Sequence, residues 1–244
     1  MSPSSPDKAI QIPDYPEHPF NPNLCATIAK LPEGVSEIAL KRVLSLPVIE
    51  SLAKTAKWTK DMEKSRQTSD QTAKPATVNR NQADDFFGIL DTMELNTTET
   101  LICLGVLAHC ISTYNNAKAQ SLDQRRLDMH LRKLRLNLRL WTYGEKATGP
   151  EDVEKDCLVW SAMVIAATSG KGDGHDNQEG WSIFVRVMDE YEFARSWRML
   201  KIKLAKFFWN ETCEAKWFAC WSEIMNTRYG GSSEIPSRAV ASVS

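Results

Sequence analysis

Along most of this chain apolar residues recur at helical spacing. Ile49, Leu52, Ala53 and Ala56 run toward Trp58 behind Ser45 and Pro47, which read as an N-cap and a first-turn proline. Phe86, Leu90 and Met93 mark the next helix. Asn96 with Glu99 makes a capping-box pattern ahead of Leu101, Cys103, Leu104, Leu107 and Ala108. Leu127, Leu131, Leu134, Leu138 and Trp141 keep a long helical series; its 134–140 part also alternates with period two, but the longer series prevails. Gly149-Pro150-Glu151-Asp152 opens a helix that is apolar nearly all round as far as Thr168, and so belongs at the centre. Three further stripes follow: Trp181, Phe184, Val185 and Met188; Trp197, Leu200, Leu204 and Phe207; and Cys213, Trp217, Cys220, Trp221 and Ile224. Asn210 breaks the second and caps the third.

Polar stretches set the boundaries. Residues 1–13 carry Ser and Pro without periodicity and read as a disordered tail. Tyr15-Pro16-Glu17-His18-Pro19-Phe20 is extended and proline-locked. Pro22, Pro32 and Gly34 punctuate short turns, and helical patterning starts near Val35. Residues 59–82 have almost no apolar side chains, which predicts a mobile surface loop. Residues 169–180 form a glycine-rich loop, and 229–244 a flexible tail. The reading is a single all-α domain over 14–228, an irregular multi-helix bundle of antiparallel helix pairs.

Composition narrows the function classes. The 244 residues are 42% hydrophobic, enough for a sizeable core, and the formal net charge is -1. Bulk electrostatics therefore does not make the chain a polyanion binder; a local basic patch would be needed. The N-terminus lacks the apolar stretch and basic flank of a signal peptide, and residues 157–167 are too short an apolar run to span a membrane. These features point to the nucleus or cytoplasm, with neither secretion nor a membrane. Six cysteines, Cys25, Cys103, Cys110, Cys157, Cys213 and Cys220, form no Cys-x-x-Cys pair and read as small buried hydrophobes, with no metal site. His18, His109, His130 and His175 form no HExxH. His109 and Cys110 are neighbours on a helix and point about 100° apart, so they do not pair. The Ser169–Gly174 loop lacks phosphate-cradle spacing, and Asp173, Asp176 and Glu179 lack EF-hand order. The expectation is no enzyme and no cofactor.

Two features remain. Arg125, Arg126, Arg132, Lys133, Arg135 and Arg139 make one helix basic, a face for phosphates or acidic partners or simply for solvent. A second basic run is Arg195, Arg198, Lys201, Lys203 and Lys206. Trp209, Trp217 and Trp221 lie near one another in sequence as core residues or as the lining of an aromatic pocket.

Several segments, in order, resemble the C-terminal helical regulatory region of fungal-specific transcription factors, the binuclear zinc-cluster family. They are Tyr15–Phe20 with Asn23-Leu24-Cys25; Ile28-Ala-Lys-Leu-Pro-Glu-Gly34; Ile38-Ala39-Leu40; Cys157-Leu-Val-Trp-Ser161; and Leu204-Ala-Lys-Phe-Phe-Trp209 with Trp217. The resemblance implies a non-enzymatic regulatory or interaction module whose partners are transcriptional machinery or a second copy, with room for a small-molecule effector. The family's zinc cluster crowds six cysteines into a short basic segment. Here the six are scattered from 25 to 220, so direct DNA binding is not expected. The competing reading is a helical small-molecule-binding protein, or a cryptic enzyme, with its pocket at the C-terminal tryptophans.

Overall fold

The first helix begins on a proline. Asn21 Oδ1 accepts the Leu24 N–H at 2.8 Å, and Pro22 takes the first helical position, where its missing N–H is harmless. Helix α1 (Pro22–Ile28) thus stands where turns were expected. A computed structural model describes residues 10–67, 75–113, 122–132, 152–169, 178–209 and 211–230. After α1 come α2 (Glu33–Leu40), α3 (Leu46–Gln67), α4 (Pro75–Thr92), α5 (Thr97–Ser112) and α6 (122–132). Then follow α7 (Asp152–Ser169), α8 (Gln178–Glu190), a 3₁₀ turn (Glu192–Arg195), α9 (Trp197–Leu204) and α10 (Glu211–Tyr229). Among the described residues the only strand-like feature is an isolated bridge between Gln11 and Met93, so the fold is all-α.

Helix α7 is central, as its apolar composition predicts. Residues 156–166 are all buried, and α5 and α8 flank it closely. Residues 101–111 of α5 are buried as well. Each Leu or Ile enclosed this way contributes about 2 kcal/mol of hydrophobic stabilisation. The crossing depends on Gly105: a Cβ there would sit 2.6 Å from the Trp160 ring and 2.8 Å from Ser161 Oγ. The absent side chain lets the indole lie directly on the α5 backbone.

Glu99 ties the N-terminal part to this core. The capping box forms as the pattern predicts: Asn96 Oδ1 accepts the Glu99 N–H at 2.9 Å, and Glu99 Oε2 accepts the Asn96 N–H at 3.1 Å. The same buried carboxylate accepts the Ser45 N–H at 2.7 Å and the Tyr15 hydroxyl at 2.6 Å. Partial burial, then the hydrogen bond and negative charge of Glu99, push the Tyr15 phenol up to about 12. Replacing Glu99 with alanine strands the Ser45 N–H and one arm of the cap. We expect a loss of about 2 kcal/mol in urea denaturation, and an unshifted midpoint would refute this account.

Several expectations need correction. The 59–82 stretch is not a loop throughout, because α3 continues to Gln67 and α4 starts at Pro75. Its Lys, Glu, Gln and Met residues are good helix formers that need no apolar stripe to extend a helix anchored at residues 46–58. Residues 10–13 are not a free tail. The Gln11 N–H donates to Thr92 O at 2.8 Å, which satisfies a carbonyl at the end of α4, and Gln11 O accepts the Glu94 N–H at 3.0 Å. Tyr229 belongs to α10, which Gly230 closes in the left-handed conformation (φ 69°). Gly34 lies within α2 rather than in a turn. Ser45 precedes α3, but its buried hydroxyl has no partner among the described residues; its backbone N–H makes the tie instead. Cys25 is exposed and Cys220 half-buried, while the other four thiols are buried. The proposed caps at Gly149-Pro150-Glu151 and Asn210, and Leu134, Leu138 and Trp141, lie outside the described residues.

Candidate functional site

The interior titratable groups come first. Helix α5 carries His109 into the core at 0% exposure, with Nδ1 3.8 Å from Cys213 Sγ on α10 and the ring 6.2 Å from that of Phe208. Its Nε2 has no partner among the described residues. Burial pulls the imidazole pKa down to about 4, so the ring is neutral at pH 7. The thiol facing His109 is Cys213, 104 residues away, and not the adjacent Cys110. Burial pushes the Cys110 and Cys157 thiols up to about 12 and Cys103 well up, so they are protonated and weakly nucleophilic.

The three C-terminal tryptophans divide between two clusters. Half-buried Trp209 meets buried Trp217 edge-on at 5.0 Å. Trp221, one turn further along α10, packs with Trp197 at 5.7 Å and Phe218 at 5.9 Å, and its Nε1 donates to Ala194 O at 3.0 Å. Trp217 and Trp221 are core side chains joining α10 to its neighbours.

The basic face is partly internal. The Arg126 guanidinium lies 3.7 Å over the Phe87 ring and 3.6 Å from both Asp84 and Asp91, which docks α6 on α4. His130 Nε2 reaches Asp91 Oδ1 at 3.3 Å from the same helix. Arg125 and Arg132 are exposed. Lys133, Arg135 and Arg139 lie outside the described residues. In the second run, Lys203 and Lys206 lie 3.1 and 3.8 Å from the buried Asp156 carboxylate, and Lys201 pairs with Glu214.

Sequence reasoning missed a cavity of about 750 Å³ beside α1 and α3, lined mainly by lysines: Lys30, Lys54, Lys57, Lys60 and Lys64. No family model, curated protein or solved structure matches this chain. Among the described residues no three His, Cys, Asp or Glu side chains cluster as a metal site would require, and no helix is long and apolar enough to cross a membrane.

Proposed function

We propose that this chain is a non-enzymatic regulatory module similar to the effector region of fungal binuclear zinc-cluster transcription factors, acting in the nucleus through protein partners. One observation carries the reading: three of the resembling segments, far apart in sequence, meet at one point. The Gly34 N–H, from the 28–34 segment, donates to Lys206 O at 2.8 Å. A Cβ on Gly34 would lie 2.7 Å from the Phe207 ring. That ring stacks on Trp160 of the 157–161 segment at 5.3 Å, and Trp160 Nε1 donates to Phe208 O at 3.4 Å. Segments that resemble one family and converge on one packing junction support the reading better than segments spread apart would.

The interior groups support the same reading. Glu99 and Asp156 tie backbone and lysines, while His109 and the deep thiols are held uncharged. These arrangements stabilise a scaffold that presents surfaces.

Tethering the chain to an unrelated DNA-binding domain upstream of a reporter, in a fungal strain, tests the proposal. Reporter output should rise or fall relative to the tether alone. Output equal to the tether alone, with the fusion present and folded, overturns it.

A further inference from the structure

Gln11 is bonded along one edge only. Its N–H and C=O both turn toward the link between α4 and α5, where they meet Thr92 O and the Glu94 N–H in a parallel bridge beside Met93. In extended backbone, successive residues direct their polar groups to opposite edges, so those of Ile10 and Ile12 point away from the body. They have no partner among the described residues. The side chains of Ile10 and Ile12, two apart, share one face of the strap. At 70% and 83% exposure they are the most exposed large apolar side chains among the described residues. An open strand edge facing water is ordinarily blunted by charge, lysine above all, and this one carries isoleucine.

The pattern is its own complement. Turned about a two-fold axis at Gln11, the edge meets a second copy antiparallel, and Ile10 of each copy faces Ile12 of the other. Each of these two pairs exchanges two hydrogen bonds, which satisfies all four backbone groups on each edge. The four isoleucines then lie together on one face, a favourable cross-strand pairing of β-branched side chains. In the sequence, Lys8 and Asp14 stand three residues on either side of Gln11, so the same register sets opposite charges against each other at both ends. Pro13 has no N–H to donate and confines the ladder to this stretch. We infer that the outer edge of the strap at Ile10 and Ile12 is a docking surface for a second copy of this chain, joined by antiparallel strand pairing about Gln11. This goes beyond the regulatory reading, which rests on the Trp160 junction instead.

Analytical ultracentrifugation of the whole chain from about 10 μM to about 1 mM tests the inference. So small a contact belongs with transient interfaces, and the dimer should have a dissociation constant of about 100 μM. Ile10→Lys and Ile12→Lys, both at exposed positions, should each raise that constant about tenfold with thermal melting unchanged. Asp14→Lys should weaken the dimer about threefold, and Lys8→Asp added to it should restore it. At the axis the two Gln11 positions form a non-hydrogen-bonded pair with Cα atoms about 4.5 Å apart, within disulfide reach. Gln11→Cys, in a chain that also carries Cys25→Ser, should therefore give a covalent dimer with oxidised glutathione, while Arg198→Cys, exposed on α9, should not. A monomer throughout the concentration range overturns the inference, whether the edge stays bare or serves an extended segment of another protein. So does a dimer that survives both isoleucine changes, a charge exchange that does not restore it, or cross-linking as ready in Arg198→Cys as in Gln11→Cys. The reporter test can be run with the Ile12→Lys chain, so either proposal can fail alone.

Discussion

Replacing Trp160 with alanine should lower folding stability by about 4 kcal/mol, within the range for emptying a large aromatic site in a core. Trp160 is 0% exposed, so nearly the whole indole volume would be left as a cavity. Three contacts raise the effect above simple burial. The ring stacks on Phe207, it lies against Gly105, and its Nε1 holds the Phe208 carbonyl. Removing it strands that carbonyl and loosens the junction between α5, α7 and the segment after α9. Urea denaturation measures the loss directly. Trp160→Phe keeps much of the ring and forfeits the donor, so its midpoint should fall between wild type and Trp160→Ala. A loss under about 1 kcal/mol for Trp160→Ala would mean that the site collapses freely, and would sink the account of the junction.

Acid should find His109 before it finds the rest of the core. In the unfolded chain its imidazole takes a proton near pH 6.5, while in the folded chain burial holds it to about 4. The folded pKa is the lower one, so the unfolded state binds the proton first. The contribution is therefore complete above pH 6.5 and is lost as pH falls toward 4. At 1.36 kcal/mol per pH unit the full swing is about 3 kcal/mol. Denaturation curves for wild type and His109→Leu, taken from pH 7 to pH 4, isolate it, because carboxylate titrations are common to both proteins. The stability gap should change by that amount across the window. Parallel pH profiles would show that the ring is not held neutral by its surroundings.

Local chemistry was legible where its cause is local. The Asn96–Glu99 box needs residues three apart, and it forms. The all-round apolar character of 157–167 forecasts the central helix, which it is. Helix α1 hid because Pro22 serves a turn or a first helical turn equally well, and only the Asn21 cap decides. The ends of α3 and α4 hid because they carry helix propensity without an apolar stripe. The lysines of α3 recur at three and four residues, but acids at Glu50, Asp61 and Glu63 interleave with them, so no basic run stands out. Other features depend on chain reversal. Nothing within ten residues of His109 announces Cys213, and nothing near Arg126 says that Asp84 and Asp91 will wait beneath it. Trp209 and Trp217 come together while Trp221 joins Trp197, a division that follows from the turn between α9 and α10 rather than from spacing.

The Glu99 tie also sets an order of events. Tyr15 and Glu99 are 84 residues apart, and the bond between them closes a long loop. During synthesis the strap containing Gln11, Asp14 and Tyr15 leaves the ribosome well before its seat on Glu99 exists. Gln11 awaits the end of α4, and Asp14 awaits the Leu46 N–H. The strap is therefore made before the seat it closes on and is among the later segments to settle, a fastener closed once the body beneath it has taken shape.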